Sequence, residues 1–244
     1  MRLYGLIGYP LAHSFSKKFF TEKFERERLI DCRYDNFPII SIEKFPTVLA
    51  QNKDIKGLNV TIPYKEQVIS FLDESNPVVN EIKACNCIKI VDGKLKGYNT
   101  DVVAFETSLK KLLQTHHTKG LILGTGGAAK AVAFVLKKLN IEFKYVSRKA
   151  SPDVLTYEQI ASEIIDEHTL IINTTPLGMF PNADAMPPIP YELITGKHFL
   201  FDLIYNPEKT FFLKKGEEKG AIIKNGYEML VLQAEESWRI WNTN

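Results

Sequence analysis

Residues 119–129 read Lys119-Gly-Leu-Ile-Leu-Gly124-Thr125-Gly126-Gly127-Ala128-Ala129. A continuous apolar strand, Lys119–Leu123, feeds a glycine turn, and a helix over Ala128–Leu139 opens directly after it. In that arrangement the backbone N–H groups and the helix N-terminus face a pyrophosphate. Gly124 allows the tight turn, Gly126 lets a phosphate approach the backbone, and Ala129 is the small residue where helix and strand pack closely. The plain alternative is an ordinary strand–helix turn. Downstream, Ile141–Val146, Leu170–Asn173 and Phe199–Leu203 are further apolar strands. Buried strands alternating with helices predict a parallel sheet covered on both faces.

Upstream, Leu3–Gly8 is a β-rich run ending at Tyr9-Pro10, and Phe15–Arg28 carries Phe19, Phe20 and Phe24 at helical spacing. Arg33–Phe37 reads as a strand and Ile42–Gln51 as a helix. Gly57–Ile62 is a strand that stops at Pro63, with a helix over Lys65–Leu72 just beyond. Asp92-Gly93, between Cys87–Val91 and Lys94–Gly97, is a two-residue hairpin signal. A helix over Val102–Gln114 precedes the polar His116-His117-Thr118-Lys119, a place for a new unit to begin. At the far end Leu230, Ala234, Trp238 and Trp241 mark a helix within Tyr227–Trp241.

Composition excludes several classes. The 244 residues carry 31 Lys and Arg against 29 Asp and Glu, a net charge of +2, which provides no broad basic face for nucleic acid. A hydrophobic content of 45% is too high for a disordered chain. Three cysteines argue against a disulfide framework and for a reducing compartment. Cys85 and Cys87 lack the partners of a zinc site, and the histidines at 13, 116, 117, 168 and 198 show no ligand spacing, so no metal is expected. His116-His117 reads as a solvated loop. The opening MRLYGLIGYP is not a signal peptide, and no stretch approaches the roughly 20 apolar residues of a membrane helix. A soluble, cytoplasmic protein with neither nucleic-acid nor membrane partners is expected.

Other motifs carry chemistry. The second strand of the glycine-turn unit ends in Val146-Ser147-Arg148-Lys149, where an NAD site usually has an acid for the ribose 2′-OH. Two cations there favour a 2′-phosphate and hence NADP; a solvated basic turn is the alternative. Asn59-Val-Thr61-Ile-Pro63-Tyr-Lys65 puts an amide and a hydroxyl at a strand end and a lysine in the first turn of the expected helix. An ammonium is disfavoured there, which would lower its pKa towards acid–base use; a surface lysine is the alternative. Asp101 and Ser14 each have the plain reading of a helix cap, and Asn86 that of a turn residue.

Taken in order, these segments resemble the shikimate dehydrogenase family. The matching pieces are Gly8-Tyr-Pro10 with His13-Ser14-Phe-Ser16, Asn59-Val-Thr61-Ile-Pro63-Tyr-Lys65, Ala84-Cys-Asn86, Gly97-Tyr-Asn99-Thr100-Asp101 and Gly124-Thr-Gly126-Gly127-Ala. Further on come Asn173-Thr174-Thr175-Pro176-Leu-Gly178-Met179, Asp202-Leu-Ile-Tyr205-Asn206-Pro207, and Gly226-Tyr-Glu-Met229-Leu with Gln233-Ala234. The resemblance implies a two-domain α/β enzyme: a substrate domain over residues 1–101, a Rossmann-type NADP-binding domain over 102–225, and a C-terminal helix, 226–244, packing back on the first. The active site would lie in the interdomain cleft. The implied reaction is reversible NADPH-dependent reduction of 3-dehydroshikimate to shikimate, on the route to chorismate and the aromatic amino acids, by a monomer or homodimer.

By position, Lys65 and Asp101 would be the catalytic pair. Ser14 and Ser16 would hold the substrate carboxylate with Tyr205 nearby, and Thr61, Lys65, Asn86, Asp101 and Gln233 the ring hydroxyls. For NADP the resemblance assigns Gly124, Thr125, Gly126, Gly127 and Ala128 in the turn, with Ser147, Arg148 and Lys149 beyond the second strand. Along the nicotinamide side it assigns Asn173, Thr174, Thr175, Met179, Leu203, Gly226 and Met229. Hydride reduction of a ketone leaves a developing alkoxide that must receive a proton, which accounts for a lysine supported by a carboxylate.

The chain departs from the family in places. Val102-Val103 follow Asn-Thr-Asp where the family usually has a glycine, Ser147 stands for the typical Asn, and Lys149 for the common Thr. The chain is also short for the family, which implies trimmed loops. Two rivals remain: a quinate/shikimate dehydrogenase using NAD, against which the 147–149 cations weigh, and a non-catalytic NADP-binding sensor. A sensor need not keep Lys65, Asp101, Asn86, Gln233 and both serines together.

Overall fold

A computed structural model describes residues 1–11 and 14–243, so His13 lies outside the described residues. The chain packs as two units, Met1–Thr100 with the segment from Gln233 onward, and Asp101–Leu232.

In the first unit the elements are β1 (Arg2–Gly8), α1 (Phe15–Arg26), β2 (Cys32–Pro38), α2 (Phe45–Gln51), β3 (Ile55–Val60), β4 (Glu74–Ser75), α3 (Pro77–Ile82), β5 (Cys87–Val91) and β6 (Lys94–Tyr98). The six strands form one mixed sheet in the order β2-β1-β3-β5-β6-β4. β1 runs parallel to β2 and β3, whereas β5 is antiparallel to β3 and β6. Asp92 and Gly93 both take positive φ, 51° and 77°, as a two-residue hairpin turn requires. Side chains alternate along β1: Leu3 and Ile7 join a core with Phe45, Leu58 and Val68, and Tyr4 and Leu6 join one with Phe20, Phe24 and Tyr34.

Two expected helices differ. Ile42–Gln51 divides into a 3₁₀ turn, Ile42–Lys44, and α2, whose first turn holds Pro46; proline lacks an N–H and fits a helix start, not its interior. Over Lys65–Leu72 there is no α-helix, only a turn followed by a 3₁₀ segment, Gln67–Phe71. The Lys65 carbonyl accepts from the Cys85 N–H at 2.7 Å, a long-range bond in place of a helical one. Lys65 therefore does not sit in the first turn of an α-helix, where the spacing predicts it.

The second unit contains α4 (Asp101–Lys110), β7 (Lys119–Leu123), α5 (Gly127–Lys138), β8 (Glu142–Ser147), β9 (Val154–Thr156), α6 (Ser162–Glu167), β10 (Leu170–Asn173), β11 (Phe199–Asp202), α7 (Phe211–Glu218) and β12 (Ile222–Lys224). Its sheet has the order β12-β11-β10-β7-β8-β9, every named pair parallel. Numbered within the unit, that is the doubly wound order 3-2-1-4-5-6 of a dinucleotide-binding fold, with its switch point between β7 and β10. The central strands are apolar throughout: Leu121, Ile122, Leu123, Ile171, Ile172, Leu200 and Phe201 are all buried, as a sheet covered on both faces demands.

His117 corrects the solvated-loop reading, being only 2% exposed. Its Nδ1 accepts from the Gln114 N–H at 2.9 Å, and its Nε2 lies 3.2 Å from the Lys197 carbonyl. Burial and the neighbouring His116 push its pKa down, which matches a neutral ring that donates from Nε2.

The last helix, α8 (Tyr227–Asn242), begins in the second unit and ends in the first. Its final turns pack on the first unit's sheet. Trp241 stacks on Tyr4 with ring centroids 4.9 Å apart and donates from Nε1 to the Ile88 carbonyl at 2.9 Å. A Cβ at Gly57 would sit 2.3 Å from that indole, so only glycine fits beneath it. The Lys23 ammonium is buried and paired with Glu27 at 2.8 Å and Glu235 at 2.7 Å, joining α1 to α8. Among the described residues no helix is long and apolar enough to cross a membrane.

Candidate active site

In the second unit the switch point lies between the ends of β7 and β10. The Leu123 carbonyl accepts from the Thr174 N–H at 3.0 Å and from its hydroxyl at 2.7 Å, which fixes the two strand ends together. Gly124 turns the chain with φ +111°, and a Cβ there would meet Thr174 Oγ1 at 2.6 Å. Gly126 caps α5 without a side-chain bond, and the first turn of α5 holds no acid. A Cβ at Gly126 would meet nothing within 4 Å, so the amide donors and the positive end of the helix open on space that an anion can fill. Ser147 ends β8, and Arg148 and Lys149 follow it, both exposed. These groups fit a dinucleotide that carries an extra phosphate. Among the described residues no cluster of three or more His, Cys, Asp or Glu could hold a metal.

The loops after β10 and β11 are organised by Asp202, buried at the end of β11. Its Oδ1 accepts from Asn173 Nδ2 at 3.1 Å and the Ile204 N–H at 3.0 Å, and its Oδ2 from the Thr210 hydroxyl at 2.6 Å. Asn173 Oδ1 in turn accepts from the Thr175 N–H at 3.0 Å and hydroxyl at 2.7 Å. The Leu203 N–H donates to the Asn173 carbonyl and the Gly226 N–H to the Ile204 carbonyl. Gly226 approaches so closely that a Cβ would lie 2.0 Å from the Leu203 carbonyl oxygen. Burial pushes the Asp202 carboxyl up to about 7, against the pull of its three donors.

In the first unit a polar cluster lies near the end of β3. Asn59 Oδ1 accepts from Tyr34 Oη at 2.9 Å, and Asn59 Nδ2 donates to Ser237 Oγ at 2.8 Å. Asn86 Oδ1 accepts from the Thr100 N–H at 2.7 Å, and its Nδ2 donates to Thr100 Oγ1 at 3.0 Å. One Asn86 N–H is left over by these bonds, so Asn86 is a buried, anchored amide and not a turn residue. Ser14 stands at the N-cap of α1, yet its side chain makes no capping bond. Its Oγ is buried with no hydrogen-bond partner among the described residues, which departs from the plain cap reading. Thr61 leaves β3 with its N–H on the Ile7 carbonyl and its own carbonyl on the Tyr64 N–H. Lys65 follows, its backbone held by Cys85.

Of the residues singled out from sequence, the first unit carries Ser14, Ser16, Thr61, Lys65, Asn86 and Gln233. The second carries Asp101 at the start of α4, the half-buried Tyr205, and the residues assigned to NADP, including the buried Met229 and the exposed Met179. Sequence reasoning gave no role to Asp202, Tyr34 or Ser237. Asp202 had a visible signal, a carboxylate ending the apolar run Phe199-Leu-Phe. Ser237 lies four residues after Gln233, on the same helix face.

A family model described as the shikimate dehydrogenase substrate binding domain matches residues 6–88. A shikimate dehydrogenase (NADP(+)) of Caldicellulosiruptor bescii is 37% identical, covering 99% of this chain and 89% of that relative. One from Clostridium beijerinckii is 39% identical over 99% of this chain and 92% of its own. Among solved structures, the shikimate 5-dehydrogenase of Thermus thermophilus in complex with NADP(H) and shikimate superposes with a TM-score of 0.88 at 29% identity, covering 99% of this chain and 94% of that one.

Proposed function

The chain belongs to the shikimate dehydrogenase family, and from that we propose that it reduces 3-dehydroshikimate reversibly to shikimate with NADPH, Lys65 and Asp101 managing the proton. The geometric observation that carries the substrate is Ser14: a buried hydroxyl at the cap of a 12-residue helix with no acid in its first turn and no partner of its own among the described residues. A buried polar group left unpaired costs about 1–3 kcal/mol. A substrate carboxylate at that helix end satisfies the hydroxyl and the helix donors together.

When bound, NADPH supplies the hydride that reduces the ketone carbon. The chain's own groups do the rest. Lys65 gives a proton to the oxygen that becomes the shikimate hydroxyl, and takes it back in the reverse direction. Asp101 orients the same oxygen. The spare N–H of Asn86, with Thr61 and Gln233, holds the ring hydroxyls, while Ser14 and Ser16 bind the carboxylate with Tyr205 nearby. Arg148 and Lys149 pair with the 2′-phosphate, the Gly124–Ala128 turn takes the pyrophosphate, and the loops around Asn173, Met179, Leu203 and Gly226 line the nicotinamide side. The working form is a monomer or homodimer in the cytoplasm, where the free thiols of Cys32, Cys85 and Cys87 persist.

Initial rates with shikimate and NADP, run beside NAD and beside quinate, test the reading. NADP with shikimate is expected to give the highest kcat/KM, with NAD at least ~10-fold lower for want of the charge-assisted phosphate contacts. Faster turnover of quinate with NAD would overturn it.

A further inference from the structure

One buried hydrogen-bond network in the first unit joins two of the groups proposed to hold the ring substrate, Asn86 and Gln233, through residues with no assigned role. Tyr34 Oη donates to Asn59 Oδ1 at 2.9 Å, and Asn59 Nδ2 donates to Ser237 Oγ at 2.8 Å. Ser237 Oγ donates to the Gln233 carbonyl at 2.9 Å and lies 3.4 Å from Thr100 Oγ1. Thr100 holds both polar atoms of the Asn86 amide, and Asn59 Nδ2 also reaches the Asn86 carbonyl at 3.4 Å.

The direction of donation is consistent along the chain, each hydroxyl spending its one proton on the next acceptor. Tyr34, Thr100 and Ser237 are at most 2% exposed, so water cannot stand in for a lost member, and a missing bond leaves its partner unsatisfied. Ser237 is the hub: it touches an amide from β3, a hydroxyl from the end of β6 and the backbone of its own helix at Gln233.

We propose that Tyr34 and Ser237 are positioning residues for the ring substrate, fixing Asn86 and Gln233 in one mutual geometry through a shared buried network. Neither residue is required to touch substrate; each acts through the network on the groups that do. The inference rests on the function proposed above. It goes beyond that reading by assigning substrate geometry to residues on β2 and α8 that the glycine turn, the catalytic lysine and the carboxylate site leave unused.

The test is steady-state kinetics of Tyr34→Phe, Ser237→Ala and the double variant, with thermal melting of each. Tyr34→Phe keeps the ring and its stacking on Phe20 at 4.6 Å, so it serves should the alanine variant fail to fold. Each single variant is expected to raise the KM for shikimate about 5- to 20-fold, the effect of one buried hydrogen bond, with the KM for NADP within about two-fold of wild type. The double variant is expected to fall short of the product of the two effects, because both interrupt one network. A lower melting temperature with both Michaelis constants unchanged would overturn the proposal and leave a purely structural role. Equal increases in both constants would overturn it as well. Absence of shikimate turnover by the wild-type protein is a separate result, which would overturn the function itself and this inference with it.

Discussion

Both units bury a polar centre close to the ends of their central strands, and the two centres use different chemistry. In the first unit Tyr34, Asn59, Asn86, Thr100 and Ser237 are neutral amides and hydroxyls bonded to one another, with one Asn86 N–H to spare. In the second a single carboxyl, Asp202, gathers donors from β10, the Ile204 backbone and the cap of α7. A neutral network holds its geometry at any ordinary pH, because none of its members titrates nearby. A buried carboxyl couples its loop to the proton concentration. The ring side is thereby built for fixed hydrogen-bond geometry, and the loops of the cofactor side hang on a group whose charge changes near neutrality.

The sharpest way to break this comparison is Asp202→Asn. Folding raises the carboxyl to about 7, so the folded state holds that proton more tightly than the unfolded chain. Its contribution to stability is therefore greatest below the ordinary carboxylate value and is lost as pH rises through about 7. The stability of the wild type relative to Asp202→Asn is expected to fall by on the order of 4 kcal/mol between pH 4 and pH 8, read from denaturant midpoints. A gap that stays flat over that window would place Asp202 in the same class as the neutral network. A smaller effect comes from Arg148→Ala. This exposed cation is expected to cost about 10-fold in preference for NADP over NAD, ~1.4 kcal/mol, with the KM for shikimate unmoved. Comparable loss with both cofactors would mean that the guanidinium stacks without reading the phosphate. The smallest effect is Lys23→Met. It removes a buried ammonium but leaves Glu27 and Glu235 with side chains 37% and 41% exposed, so destabilisation of no more than about 1 kcal/mol is expected in a melting experiment. A loss of several kcal/mol would show that the α1–α8 pairing matters more than its solvent exposure suggests.

What could be read from the sequence was local or periodic. The glycine turn after Leu123, the apolar strands of the second unit and the Asp92-Gly93 hairpin are each specified by neighbours within a few residues, and each stands where it was expected. What could not be read depends on distant partners. The expected helix over Lys65–Leu72 gives way to a turn and a 3₁₀ segment, with the Lys65 carbonyl taken by the Cys85 N–H. His117 reads as a loop residue until Gln114 and Lys197 supply backbone partners for both ring nitrogens. Ser237 meets Asn59 across 178 residues, and no spacing rule reaches so far. The short edge strands β9 and β12 span only three residues each, too few to show a period.

The most direct test of the central claim is the absorbance of reduced nicotinamide when shikimate and NADP are added to the wild-type protein and, in parallel, to Lys65→Met. The wild type is expected to reduce NADP rapidly and the variant to lose at least ~10²-fold in kcat, the usual worth of a positioned acid–base group, with the KM for NADP retained. No shikimate-dependent signal from the wild type, or an equal rate from the variant, would contradict it.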